Sequence, residues 1–158
     1  MAFPKPLGGI LALVCGLSAC GAESSSDRDR ARTDEAAVKK VLGEALDALY
    51  DGDGARACAL YTSSYRREFV KKNQADKSRL APGATCEEQV ANFASALKRN
   101  VPDREVKVLR ITVNGDDATA VSEFNTTRGK TRVTDFLVRQ DGEWMINGDQ
   151  ETGEAGPG

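Results

Sequence analysis

The chain has 158 residues, with 22 lysines and arginines, 24 acidic residues and no histidine. The slightly acidic balance disfavours a nucleic-acid partner. The absence of histidine excludes Ser-His-Asp and Cys-His chemistry and removes the commonest metal ligand. We therefore predict no catalytic triad, no metal site and no cofactor.

The N-terminal segment resembles the signal of a bacterial lipoprotein. An apolar run over residues 7–17 is too short to cross a membrane, which takes about 20 residues, and residues 17–20 read Leu-Ser-Ala-Cys, a lipobox. We predict that residues 1–19 are a signal peptide and that Cys20 carries a diacylglyceryl lipid, detectable by palmitate labelling. The chain would then be lipid-anchored at the extracytoplasmic face of the cell membrane. An ordinary cleaved signal with an incidental Cys20 is the alternative.

Four cysteines divide between this signal and the exported domain. Cys15 leaves with the signal and Cys20 takes the lipid, so Cys58 and Cys86 remain. Two cysteines outside the cytosol favour a disulfide between them. A redox or metal pair is the alternative, but neither a CxxC spacing nor a histidine supports it.

The composition divides the exported chain into three parts. Residues 20–33 are rich in Ser, Asp and Arg and contain almost nothing that could enter a core, so we predict a flexible tether after the lipidated cysteine. Residues 34–148 carry the apolar patterns of one domain. Residues 149–158 are polar and Gly-rich, and we expect a disordered tail.

The first part of the domain is predicted to be helical. Apolar residues at helical spacing indicate a helix over residues 34–50 with Thr33 as its N-cap. Asp53 is placed to cap a second segment over residues 54–61, and a third is expected over residues 63–72.

A further helix follows the Pro-Gly loop at residues 82–83. Thr85 and Glu88 form a capping box at its start. Its apolar stripe consists of Cys86, Val90, Phe93 and Leu97.

Beyond residue 103 the pattern changes from helical to alternating. Four strands joined by short turns are predicted over residues 106–113, 118–126, 132–139 and 143–147. The apolar phase shifts between Val108 and Leu109, which predicts a bulge and a curved strand. Asp141 and Gly142 give the strongest hairpin signal.

Three helices followed by a curved antiparallel sheet of about four strands resemble the nuclear-transport-factor-2-like superfamily. More narrowly, the chain is similar to small exported lipoproteins of actinobacteria that carry this domain. The resemblance lies in residues 17–20, 53–58, 85–88 and 137–146. It implies an α+β, cone-shaped domain over residues 34–148, whose cavity is used for binding or catalysis in different members. Enzymes of the superfamily place acids, tyrosines or histidines there, and none of their catalytic motifs matches this chain.

Two acids within predicted strands, Glu123 and Asp135, could face the cavity as a general base or lie on the solvated face of the sheet. Aromatic candidates for the pocket are Tyr61, Tyr65, Phe93, Phe124 and Trp144, which could equally be core residues. We predict a non-enzymatic domain that binds a small apolar ligand or an envelope protein. The alternative is an isomerase, dehydratase or cyclase that uses a cavity carboxylate on a small hydrophobic substrate. A third possibility is a structural accessory that only docks onto a membrane complex.

Overall fold

The structure, a computed structural model, describes residues 25–75 and 83–155. Four helices precede four strands in this part of the chain. The helices are α1 (Ser25–Asp51), α2 (Gly54–Ala59), α3 (Ser63–Ala75) and α4 (Cys86–Asn100), and the strands are β1 (Val106–Asn114), β2 (Asp117–Thr126), β3 (Gly129–Gln140) and β4 (Glu143–Ala155). The predicted α+β class is confirmed, with four described helices in place of the three of the predicted fold class. None of the described helices is long and apolar enough to span a membrane.

The first helix begins earlier than the sequence predicted. Residues 25–33, assigned to the flexible tether, are the first turns of α1. Thr33 does not act as an N-cap, because its hydroxyl donates to the carbonyl oxygen of Asp29 one turn earlier, at 2.9 Å. Such a bond to residue i−4 occurs within a helix and not at its start. The signal peptide and Cys20 lie outside the described residues.

Both predicted N-caps of the shorter helices are present. The Asp53 carboxylate accepts from the backbone N–H of Arg56 at 3.0 Å at the start of α2. The Thr85 hydroxyl accepts from the N–H of Glu88 at 3.2 Å, and the Glu88 carboxylate accepts from the N–H of Ala84 at 2.8 Å. Each side chain satisfies a backbone donor that the first helical turn leaves without a partner.

The predicted disulfide joins α2 to α4. Cys58 and Cys86 are bonded, with 6.2 Å between their Cα atoms, and both are buried. The two helices approach closely at Gly54, where a Cβ atom would lie only 2.3 Å from the carbonyl oxygen of Glu87. A side chain at position 54 would therefore separate the pair, so the disulfide and the glycine fix the same contact.

The four strands form one antiparallel sheet in the order β1-β2-β3-β4. The predicted bulge in β1 is confirmed by a register shift between Val108 and Arg110. The β3–β4 turn is confirmed as well, since Asp141 and Gly142 have φ values of 53° and 86°, as a type I′ hairpin requires. A second shift lies between Phe136 and Leu137, opposite Asn147. Bulges increase local twist, which curves the sheet.

The last strand is much longer than expected. β4 continues to Ala155 and pairs with β3 as far as Lys130, so residues 149–155 are not a disordered tail. Its outer edge is partly covered by the chain between α2 and α3. The N–H of Thr62 donates to the carbonyl of Ile146, and the N–H of Ile146 donates to the carbonyl of Leu60, both at 2.9 Å. These bonds fix the start of α3 against the sheet.

Candidate functional site

A cavity of about 200 Å³ lies between α1, the start of α3 and the inner face of the sheet. Alternation along β2 and β3 defines that face, because Ala120 pairs with Asp135 and Ser122 pairs with Val133, and paired residues point to the same side. Most of the wall is apolar. The lining comprises Leu42, Ala45, Leu46, Leu49, Tyr61, Tyr65, Phe69, Val106, Ser122, Phe124, Val133, Asp135, Ile146 and Asp149.

One end of the cavity is acidic. Asp135 of β3 and Asp149 of β4 are cross-strand partners and both line it. The hydroxyl of Tyr65 donates to the Asp149 carboxylate, and the ammonium of Lys72 lies 3.8 Å from that carboxylate. In residues 25–75 and 83–155, no lysine or arginine pairs with Asp135. Two carboxylates thus share one end of an apolar space, and one of them lacks a countercharge.

This environment changes the acid–base properties of the polar end. Burial, followed by the charge of Asp149, raises the pKa of Asp135 from 3.8 to about 7. Burial also raises the pKa of Tyr61 and Tyr65 above the usual range, with the nearby acids adding to the effect. Desolvation and a like charge both disfavour ionisation. Asp135 therefore changes its charge near neutral pH, whereas both tyrosines remain neutral donors.

Three aromatic rings form the wall next to this acidic end. Tyr61 and Tyr65 meet edge to face with their centroids 5.0 Å apart, and Phe69 lies 5.9 Å from Tyr61 and 6.2 Å from Tyr65. Tyr65 and Phe69 are one helical turn apart on α3, which places them on one side of the helix. The two tyrosines predicted for the pocket are therefore in it.

The two phenylalanines predicted for the pocket, Phe93 of α4 and Phe124 of β2, both line a second cavity. This second cavity of about 450 Å³ lies between α4 and the ends of β2 and β3. Phe93 lines this second cavity only, whereas Phe124 and Val133 line both. The remaining lining is formed by Leu97, Asn100, Val101, Thr126, Thr127, Arg128, Thr131 and Glu151.

Trp144 lines neither cavity, contrary to the prediction. It is 5% exposed, and the guanidinium of Arg139 lies over its ring at 4.5 Å from the centroid. Arg139 also contacts Asp34 of α1 at 2.6 Å. The tryptophan is a core residue in a cation–π contact that helps to fix α1 on the sheet.

The two acids singled out in the sequence lie on opposite faces. Glu123 is paired across strands with Lys107 and Arg132, and its carboxylate contacts Lys130 at 3.1 Å and Arg132 at 3.2 Å. The hydrogen bond from Lys130, followed by that from Arg132, lowers its pKa. Glu123 thus belongs to the outer face, and only Asp135 lines the cavity.

Asp149 was missed, because it lies in a polar segment without an apolar pattern. Ile146 and Asp149 both face the cavity, although their odd separation should place them on opposite sides of a regular strand. The extra residue at Asn147 reverses the alternation. A bulge of this kind gives no sign in the sequence of β4, so alternation alone could not have assigned Asp149 to the site.

A family model described as "Putative lumazine-binding" matches residues 33–148. The chain belongs to this family. Its helices and four-stranded antiparallel sheet give this family member the α+β fold class predicted above. No curated protein matches the sequence.

Three solved structures resemble this family member. A "Putative NTF2-like transpeptidase" from Campylobacter jejuni shares 17% identity over 69% of this chain and 95% of its own, at a TM-score of 0.48. An NTF2-like protein of unknown function from Shewanella baltica shares 18% identity over 78% of this chain and 97% of its own, at a TM-score of 0.47. An NTF2-like protein of unknown function from Shewanella oneidensis shares 19% identity over 76% of this chain and 98% of its own, at a TM-score of 0.44. Because these identities and TM-scores are low, the fold is assigned from the coordinates of the chain itself and not from these resemblances.

Within the described ranges, no group of three or more Cys, Asp or Glu side chains is arranged to bind a metal ion. The functional groups at this cavity are two carboxylates, two phenols and the hydroxyl of Ser122, beside an apolar wall.

Proposed function

We propose that this domain binds a small, largely apolar ligand with a cationic or hydrogen-bond-donating end, held in the cavity between α1, α3 and the sheet. The observation that carries the proposal is the position of Asp135 and Asp149 at one end of an otherwise apolar space. A few polar groups that orient a ligand within apolar walls are typical of binding sites.

The charge of the polar end favours one kind of ligand. An anionic ligand there would face two carboxylates in a partly desolvated space, which is unfavourable. An ammonium or N–H donor would instead supply the partner that Asp135 lacks, and charge-assisted hydrogen bonds are among the strongest in proteins. The description of the family supports a ligand with a donor group, since lumazine is a flat heteroaromatic molecule that carries ring N–H donors.

Calorimetric titration with octylamine and octanoate tests the proposal, because the two probes share a chain and differ in the charge of the end group. We expect octylamine to bind and octanoate not to bind, and lumazine provides a neutral donor for comparison. Asp135→Asn should weaken octylamine binding by about tenfold or more, the equivalent of one charged hydrogen bond. Equal binding of the amine and the carboxylate, or of neither, would contradict the proposal.

The pH gives a further check on the same probe. Because the pKa of Asp135 is about 7, the carboxylate is largely protonated in acid and ionised in weak base. Octylamine remains cationic over this range, so its affinity should rise as the pH increases through about 7. A flat profile would show that Asp135 is not the group that receives the amine.

The same carboxylate favours a second candidate function, an enzyme that transfers a proton on a small hydrophobic substrate. A buried acid with a pKa near neutral is suited to act as a general base. In this case Asp135→Asn would remove turnover while the circular dichroism spectrum of the folded domain stayed unchanged. Persistent turnover in that variant would exclude Asp135 as the base.

We also propose that the domain is held at the extracytoplasmic face of the membrane by lipid on Cys20, as in the exported lipoproteins that the sequence resembles. The order Leu-Ser-Ala-Cys at residues 17–20 and the Cys58–Cys86 disulfide, which suits an oxidising compartment, support this location. Cells fed a palmitate analogue should label the wild-type chain and leave Cys20→Ser unlabelled. Label in both chains, or in neither, would contradict the anchor.

A further inference from the structure

The two cavities on the inner face of the sheet have a common wall. Phe124 and Val133 line both of them. Phe124 is cross-strand partner to Thr131, which lines only the second cavity. Along β3 the inner face therefore runs from Asp135 through Val133 to Thr131, a distance of about 13 Å at the usual rise of a strand. Phe124 and Val133 are thus the residues at which the two spaces meet.

Size also suggests that the two cavities act together. The first, at about 200 Å³, is below the range of about 300–1,000 Å³ typical of ligand pockets. Joined to the second, of about 450 Å³, it lies well inside that range. Phe124 is half-buried and has empty space on both sides, so a change of its χ1 rotamer meets less packing resistance than it would in a filled core.

Resting on the proposed function, we propose that movement of Phe124 joins the two cavities into one channel that holds a single long alkyl chain. The donor group at the head of the chain lies against Asp135 and Asp149, and the tail passes Phe124 and Val133 into the space beside α4. The ligand class is therefore a long-chain amine or other single-chain amphiphile with a donor head. The acidic end excludes fatty acids.

The volumes predict the chain length at which the second cavity begins to be used. A methylene group occupies roughly the volume of a water molecule, about 30 Å³, so about 200 Å³ accommodates about seven of them. Octylamine, which has seven methylenes between its ammonium and methyl groups, should therefore reach the end of the first cavity, and longer amines must enter the second. Each buried methylene should tighten binding by about fourfold.

Calorimetry with amines from hexylamine to hexadecylamine, kept below their micellar concentrations, tests the channel. In the wild type, affinity should continue to rise beyond octylamine. Thr131→Trp places a bulky, uncharged ring in the second cavity beside Phe124, its cross-strand partner. The affinities of this variant should therefore stop rising at octylamine, while octylamine itself binds as in the wild type. Leu109→Trp is the matched control, because Leu109 is exposed and lines neither cavity. It should bind every amine as the wild type does.

Phe124→Ala gives a second test that does not depend on how Thr131→Trp folds. Removing the dividing ring should strengthen hexadecylamine binding relative to octylamine. Wild-type affinities that level off at octylamine, or identical long-chain binding in the wild type and folded Thr131→Trp, would overturn the channel and leave the proposed function intact. Failure of octylamine itself to bind would overturn the proposed function and the channel with it.

Discussion

The pKa of a carboxyl group is shifted in opposite directions on the two faces of the sheet. On the outer face, Glu123 lies between Lys130 and Arg132, and these cations lower its pKa. On the inner face, Asp135 lies beside another acid, Asp149, and burial raises its pKa to about 7. The neighbours supplied by adjacent strands, and not the carboxyl group itself, decide which acid is suited to bind a ligand.

The inner face also differs from end to end. Near the β3–β4 turn, Arg139 has Asp34 as its partner and covers the ring of Trp144. Near the cavity, no cation of the described residues pairs with Asp135. The structural charge of Arg139 has its partner within the chain, whereas Asp135 has no cationic partner among the described residues. This contrast is the reason to expect the missing partner in a ligand.

The largest expected effect is that of Asp135→Asn on stability as a function of pH. The native state holds a proton that the unfolded chain releases, because the pKa rises from 3.8 to about 7 on folding. Wild-type stability should therefore fall as the pH increases between these values, by up to about 4 kcal/mol. The variant has no such titration. Urea unfolding at about pH 4 and about pH 8 should show that the free energy of unfolding of the variant, relative to that of the wild type, is greater at the higher pH.

Asp149→Asn is the matched control for this measurement. It removes the neighbouring charge, so the pH dependence of the remaining Asp135 should decrease without vanishing, because burial is its larger cause. Parallel stability curves for the wild type and Asp135→Asn would contradict an uncompensated buried acid on the inner face.

Arg139→Met should have the next largest effect. The substitution leaves Asp34, which is 8% exposed, without its cation and should cost about 2–3 kcal/mol, because an unpaired buried charge is unfavourable. The double variant Arg139→Met with Asp34→Leu should recover most of the loss, since apolar replacement of a whole pair is often neutral. Equal losses in the single and double variants, measured by urea unfolding, would show that packing on Trp144 matters more than the charge.

The sequence was sufficient for the fold class but not for the assignment of faces. Asp53 and Thr85 cap helices as predicted, and the phase shift after Val108 marks a real bulge, because each depends on local patterns. The triplet at residues 136–138 is apolar throughout, so alternation could not decide whether Asp135 or its neighbours face inward. In the structure the smaller Leu137 is buried and Phe136 is 41% exposed, which only the pairing with the other strands settles.

Tyr65→Phe should have a smaller effect, confined to the inner face. The hydroxyl of Tyr65 donates to Asp149, and loss of a hydrogen bond to a charged group costs about 1–2 kcal/mol. Tyr61→Phe is the matched control, because the Tyr61 ring lies in the same cluster while its hydroxyl makes no hydrogen bond to the described residues. Thermal unfolding of the two variants should separate the hydrogen bond from the ring contacts. Equal losses would contradict the role of the Tyr65–Asp149 bond.

The smallest effect is expected for Glu123→Gln on the outer face, and its sign with pH should be opposite to that of Asp135→Asn. The pKa of Glu123 is lowered in the folded state by Lys130 and Arg132, so its stabilisation is present above the pKa of the unfolded chain and is lost as the pH falls through the folded value. Both cations are about half exposed, so added salt should weaken the contribution further. Urea midpoints should therefore decrease slightly at neutral pH and low salt and match the wild type in acid, while octylamine affinity stays unchanged. A loss of octylamine binding in this variant would mean that the two faces are not chemically separate, because Glu123 lies on the face of the sheet opposite the cavity.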